Sequence, residues 1–251
     1  MERLDGKRIV ITGGTSGMGE GVVRAFPALG AKVVFWGRNE AAGKKIAEET
    51  GAIFVKADVS DKATVDEAMK KSAEILGGID VLVHAAGIGP HCPAEYIQFD
   101  DWKAVMDINA TGTFLVNEAV FPYMKENGGN ILNFTSASAF INSPGQAHYA
   151  ASKGAVNCWS RTIAKEWMRF NIRVNMIAPC IRTAMYEQMR AMMTPEQLAQ
   201  HDAEMANLCI GGKMGDIETD FVPVMAFMAS DGSKFMTGQT ISIDGGIMMV
   251  R

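Results

Sequence analysis

The chain has 251 residues with 48% hydrophobic and 21% charged side chains, enough for one large domain with a well-buried core. A formal charge of −4 gives no basic footprint for nucleic acid or an anionic membrane surface. No apolar run approaches the roughly 20 residues of a membrane span.

In chain order, short β-rich apolar runs alternate with longer helical patterns, with Gly, Asn or Asp between them. Strands are expected at Arg8–Thr12, Lys32–Trp36, Ala52–Lys56, Val81–His84, Asn130–Thr135, Arg173–Ala178 and Thr240–Asp244. Most are continuously apolar, as in IVIT and KVVFW, which suits parallel strands covered on both faces. Helices are expected at Gly17–Leu29, Glu40–Thr50, Asp61–Leu76, Asp100–Met124, Gln146–Phe170 and Asp220–Ala229. Pro27 should kink the first of these. The alternation predicts an α/β fold: a doubly wound, Rossmann-type parallel sheet of about seven strands with helices on both faces. No linker, charge block or repeat divides residues 1–251, so one domain is expected. In such sheets ligands lie beyond the carboxyl ends of the strands, where strand order reverses.

The first strand runs into TGGTSGMG, Thr12 to Gly19, and then into a helix. Gly13 can make the tight turn, Gly17 lets backbone approach a pyrophosphate, and Gly19 lets helix and strand pack closely. Gly13, Thr15, Ser16, Gly17, Met18 and Gly19 form the candidate phosphate cradle, aided by the helix's N–H groups and dipole.

Tyr149 and Lys153 stand four apart on a predicted helix and so project from one face. A nearby ammonium stabilises phenolate, which would move the tyrosine from its free pKa near 10 towards proton transfer at neutral pH. Ser136, at the carboxyl end of the fifth strand, can hydrogen-bond the same substrate oxygen.

The spacing TGxxxGxG, followed by Asp58-Val59, HAAG (His84–Gly87), Asn109, Ser136, Tyr149-x-x-x-Lys153 and Pro179 with Thr183, resembles the short-chain dehydrogenase/reductase family, in its compact single-domain branch. The resemblance runs to the MTGQTISIDGG stretch near the C-terminus. It implies an oxidoreductase that moves a hydride between a nicotinamide cofactor and a secondary alcohol/ketone pair. The catalytic set would be Asn109, Ser136, Tyr149 and Lys153, with Lys153 also on the nicotinamide ribose and Asn109 holding a relay water. Asp58 and Val59 would hold the adenine, Gly87 would pack near the dinucleotide, and Ile181 and Thr183 would contact the carboxamide.

The sequence departs from the family pattern in two places. His84-Ala85-Ala86-Gly87 replaces Asn-Asn-Ala-Gly, which questions sheet-stabilising hydrogen bonds, and Cys180 stands where a glycine is usual. At the end of the second strand Gly37 occupies the place of the family's NAD-type Asp, and Arg38 follows it. A guanidinium suits a 2′-phosphate, so NADP(H) is expected ahead of NAD.

Residues 183–215 would form a substrate lid. Eighteen methionines against eight leucines is unusual, and six of the methionines fall in Met185–Met214. Met185, Met189, Met192 and Met193 at helical spacing predict an apolar face, either a cover for a hydrophobic or cyclic substrate or a surface that packs the lid onto the core or a neighbouring subunit. A 3-oxoacyl thioester is the alternative substrate, although no basic docking patch is evident. A non-catalytic dinucleotide-binding regulator is disfavoured because Ser136, Tyr149 and Lys153 are all present. The charged N-terminus does not read as a signal peptide. Four scattered cysteines without CxxC spacing predict free thiols in a cytoplasmic protein and no metal. By analogy with the family, a homotetramer is expected, with neither membrane nor nucleic-acid partners. Of the histidines, His91 could touch substrate, His148 points away from Tyr149, and His201 has no partner in the pattern.

Overall fold

The computed structural model describes residues 1–248, and of Met185 and Met189 in the lid it describes the backbone alone. Seven strands form one sheet: β1 (Arg8–Thr12), β2 (Lys32–Gly37), β3 (Ile53–Lys56), β4 (Val81–His84), β5 (Gly129–Phe134), β6 (Ile172–Pro179) and β7 (Thr240–Ile243). Their order is β3-β2-β1-β4-β5-β6-β7 and every pairing is parallel. The order reverses between β1 and β4, so a crevice opens beyond Thr12 and His84.

Successive strand residues serve opposite faces, which explains the continuous apolar runs. Ile9, Ile11, Phe35 and Val83 pack with helices α1 (Gly17–Ala25) and α2 (Glu40–Thr50). Val10, Val34, Trp36 and Leu82 pack on the other side, against α3 (Lys62–Leu76). The fully buried Trp36 donates its indole N–H to Ser72 on α3 at 2.9 Å, and Ser72 donates onward to the Ala68 carbonyl at 2.7 Å.

Two expectations at the helices need correction. Pro27 does not kink a continuous helix; α1 ends at Ala25 and a 3-10 turn covers Pro27–Leu29, since proline cannot supply the next helical N–H. The helix expected over Asp100–Met124 is interrupted. It consists of α4 (Phe99–Met106), a π-turn over Asp107–Thr111, and α5 (Gly112–Met124). The wide turn carries Asn109, and π-bulges of this kind frequently mark functional sites.

The long helix α6 (Ala147–Trp167) lies against β5 and β6. After β6 come the lid helices α7 (Ala184–Ala191) and α8 (Pro195–Leu208). A Thr194–Gln197 capping box starts α8, with Pro195 in its first turn. A second π-turn, Ile217–Phe221, leads into α9 (Val222–Ala229) and then β7. Among the described residues no helix is long and apolar enough to cross a membrane.

Candidate active site

The glycine turn after β1 has little room for other side chains. A Cβ on Gly13 would lie 2.8 Å from the Ala86 backbone, and one on Gly19 would lie 2.3 Å from the Gly13 carbonyl oxygen. Gly17 is different: only Thr183 Cγ2, at 3.8 Å, comes near its missing Cβ, so that side of the turn is open. An open backbone face at the start of α1, flanked by Ser16 as N-cap, fits a pyrophosphate.

Two adjoining cavities extend from this turn. One is a slot between Gly37, Arg38, Asp58, Val59 and Ile108, the place expected for adenine. The other, of about 380 Å³, runs from Gly13, Gly17 and Met18 past Gly87 to Tyr149, Lys153 and Thr183. Gly13, Ser16 and Gly87 border both, so the two form a single track from the adenine slot to Tyr149 and Lys153. Burial pushes the Asp58 carboxyl up, but hydrogen bonds from Ser60 and the Arg38 charge 3.9 Å away outweigh it and hold it below the usual range.

Lys153 is 5% exposed and donates to the Phe134 carbonyl at 2.8 Å, which ties α6 to the end of β5. Burial lowers its pKa from 10.5 to about 8. Its ammonium lies 5.8 Å from the centre of the Tyr149 ring. Tyr149 does not follow the sequence expectation. In the protein alone its pKa is raised, because burial of the phenol outweighs a lowering contribution from the Ser136 hydroxyl. The phenol is therefore held protonated. Ser136 Oγ accepts the Ser138 N–H at 3.2 Å, which leaves its own proton free to donate.

Asn109 sits below the cavity rather than in its wall. Its carboxamide nitrogen donates to the Ile88 carbonyl at 2.8 Å and to Ser152 Oγ at 2.9 Å, and Oδ1 accepts the Ile88 N–H at 2.9 Å. Both amide protons are used, and one lone pair remains for a relay water. A Cβ on Gly87 would lie 3.1 Å from this oxygen and 3.3 Å from Lys153 Nζ, so glycine keeps the gap between them clear.

Other expected residues are placed less directly. Ile181 is buried and forms an isolated bridge with Gly215; its side chain does not line the cofactor cavity, which instead meets Pro179, Thr183 and Ala184. Thr135 donates to the Lys153 carbonyl at 3.2 Å and is structural. His84 supplies a cross-strand bond despite the altered HAAG motif, with Nδ1 2.8 Å from Thr12 Oγ1, and burial drops its pKa to about 3. Burial pushes the Cys180 thiol up to about 11, with smaller contributions from Cys209 and Asp244, which suits an unreactive group.

The described lid methionines favour packing within the lid over a cover on the cofactor cavity. Met192 is exposed, Met205 and Met214 line a separate pocket between the lid helices, and neither they nor Met193 reaches the cofactor cavity. The side chains of Met185 and Met189 lie outside the described residues. Polar pairs stitch the lid together instead. His201 has a partner after all, the Tyr186 hydroxyl at 2.7 Å, and Arg190 pairs with Asp202. Sequence reasoning also overlooked Gln146, Ile88 and Gly89 in the cavity wall. Gln146 was signalled by its position three residues before Tyr149, at the N-cap of the helix that carries the tyrosine.

A family model described as enoyl-(acyl carrier protein) reductase, one of the short-chain dehydrogenase/reductase models, matches residues 13–248. The chain belongs to the short-chain dehydrogenase/reductase family. It is 36% identical over 254 residues to the 3-oxoacyl-(acyl-carrier-protein) reductase FabG of Thermotoga maritima, covering 98% of this chain and 100% of that protein. A FabG of Chlamydia pneumoniae is 34% identical, over 97% of this chain and 98% of that one. The 2,5-dichloro-2,5-cyclohexadiene-1,4-diol dehydrogenase LinX of Sphingobium indicum is also 34% identical, over 97% of both chains. This short-chain dehydrogenase/reductase is accordingly an NAD(P)-dependent oxidoreductase.

Proposed function

We propose that the protein interconverts a ketone and a secondary alcohol with NADP(H), using Tyr149 as proton donor and acceptor, Ser136 as oxygen ligand and Lys153 as the neighbouring charge. The observation that carries this reading is the Ser136–Tyr149–Lys153 cluster at the end of the dinucleotide track. When bound, the nicotinamide supplies or accepts the hydride. In the reducing direction, the Ser136 hydroxyl and the Tyr149 phenol donate hydrogen bonds to the carbonyl oxygen, and the phenol proton passes to it as negative charge develops. The ammonium of Lys153 favours the resulting phenolate. Lys153 has two donors beyond its bond to Phe134, available for the ribose hydroxyls and a water on Asn109 Oδ1. Asn109 clamps Ile88 and so holds the cavity wall.

The NADP(H) assignment rests on the end of β2. A Cβ on Gly37 would come 2.4 Å from Thr15 Cγ2, so an acidic side chain there requires Thr15 to move. Arg38 is largely exposed, its one ion pair among the described residues being the 3.9 Å contact to Asp58, and is available for a 2′-phosphate. Ile88, Pro179 and Ala184 give the catalytic end an apolar wall suited to a hydrophobic substrate body. Two of the relatives are reductases of 3-oxoacyl thioesters, which favours that class as a second reading. The four unpaired thiols support a reducing, cytoplasmic setting. Exposed Trp102, Phe114 and Tyr123 on α4 and α5 support assembly through that face into a homotetramer, for which sedimentation should return the mass of four chains.

Tyr149→Phe should lower kcat by at least about a hundredfold while NADPH affinity, read by fluorescence titration, stays near wild type. Near-normal turnover would refute the assignment. Arg38→Ala should cut the ratio of kcat/KM for NADPH over NADH by about 10- to 100-fold, the worth of a charge-assisted bond. An unchanged ratio would move the cofactor reading to NAD.

A further inference from the structure

The histidine of His84-Ala85-Ala86-Gly87 departs from the family pattern and has no role in the proposed chemistry. His84 ends β4 and is 1% exposed. It pairs in register with Thr12 of β1 and Asn133 of β5, at the point where strand order reverses. Two residues after Leu82, it stands on the face of the sheet covered by α5 and α6, the face from which Lys153 enters.

Nδ1 is spent on β1: it lies 2.8 Å from Thr12 Oγ1, which also accepts the Ala86 N–H at 3.3 Å. The ring nitrogens of an imidazole point in widely different directions, so Nε2 is turned away from β1. It is buried and has no hydrogen-bond partner among the described residues. Lys153 lies on the β5 side, anchored to the Phe134 carbonyl one residue beyond Asn133. Burial, helped by that charge, is what drops the His84 pKa to about 3. The tautomer follows. A proton on Nε2 would face a cation and find no acceptor, whereas a lone pair there faces the cation favourably and leaves Nδ1–H to donate to Thr12.

A water between Lys153 Nζ and Asn109 Oδ1 accepts from the ammonium and donates one proton to the carboxamide oxygen. The other lone pair of that oxygen takes the Ile88 N–H. The second proton of the water still needs an acceptor, since a buried water typically makes about three hydrogen bonds. Among the described residues, the buried side-chain acceptors without a partner are His84 Nε2, the His148 ring, Asn130 Oδ1 and Ser242 Oγ. Asn130 is at the opposite end of β5, and Ser242 is two strands away on β7. His148 lies one turn before Ser152, on the nitrogen side of the Asn109 carboxamide, whereas the water sits at its oxygen.

We propose that His84 is a positioning residue: its Nε2 accepts the second proton of the water shared by Asn109 and Lys153, and so keeps the lone pair of that water on the ammonium. This rests on the Lys153–Asn109 reading above and deepens it. The other titratable groups on the packed elements are Tyr149 and His148 of α6 and Asp107 of the π-turn, which is partly exposed and pairs with Lys103. β1, β5 and α5 contribute the neutral groups Thr12, Asn133, Thr113 and Asn117.

The Lys153 titration is read by NMR of the full chain carrying 13C at lysine Cε, from about pH 6 to 11, with its signal assigned by loss in Lys153→Met. An Asn side chain reaches as far as His Nδ1, and Gln as far as Nε2. His84→Asn therefore keeps a partner for Thr12 but loses the outer acceptor, while His84→Gln retains it. His84→Asn should move the Lys153 titration down by about half to one pH unit, the worth of one neutral hydrogen bond, and His84→Gln should leave it near the wild-type position. Variants that lose stability to urea while all titrate as wild type would show a purely structural histidine and overturn the proposal, leaving the catalytic reading intact. A downward move in His148→Leu with none in His84→Asn would give the acceptor role to His148 and overturn it equally. A wild-type Lys153 that titrates near 10.5 would overturn the buried ammonium itself and this inference with it.

Discussion

An ammonium group held inside the protein, with no carboxylate beside it among the described residues, organises the catalytic end of this fold. Lys153 is buried between α6 and β5, and it donates to the neutral carbonyl of Phe134. Lowering its pKa from 10.5 to about 8 penalises the charged form by about 3 kcal/mol. That is a large share of the stability of an ordinary domain. The rest of the site follows from accommodating this charge. Gly87 leaves the space beside it open, Asn109 holds the loop that covers it, and His84, close enough to feel the charge, stays neutral.

The consequence for chemistry is a division of labour. Burial by itself keeps Tyr149 protonated, the state needed to donate to a carbonyl oxygen. The lysine charge matters most when the proton has left, since a phenolate in a half-buried site needs a cation nearby. Ser136 contributes in both states because its hydroxyl, whose bond to the phenol opposes the rise in the Tyr149 pKa, can donate to the phenol oxygen or to a substrate oxygen beside it. A pair described simply as a lysine lowering a tyrosine's pKa misses this, since in the protein alone the tyrosine has moved the other way.

The sheet was legible because each strand is a continuous apolar run and each crossover carries its own helix signal. The seven candidate strands match those observed, with ends shifted by a residue or a few. The glycine turn and the Tyr149–Lys153 spacing were legible because both are local in sequence. What escaped was set by tertiary contacts. The π-turn at Asn109 has no hydrophobic period of its own and is fixed by Ile88 and Ser152 from elsewhere in the chain. The partner of His201, on the preceding helix, becomes visible only when the lid helices fold together. The lid methionines left two readings open because helical spacing shows that one face is apolar and not what it faces. Met192 turns to solvent, while Met205 and Met214 pack inside the lid.

The cost of the buried ammonium can be measured in the cofactor-free protein. Below pH 8 Lys153 is protonated in the folded and unfolded chains alike, and the full penalty acts against folding. Between about pH 8 and 10.5 the folded chain releases this proton while the unfolded chain keeps it, so stability is gained as pH rises. Urea unfolding of wild type and Lys153→Met across this range isolates the group, because other titrating residues are common to both. The stability of the wild type relative to the variant should rise by about 2–3 kcal/mol from pH 7 to pH 10. A difference that stays flat across that range would show that Lys153 titrates as a solvated lysine, and would contradict the account of the site built on its burial.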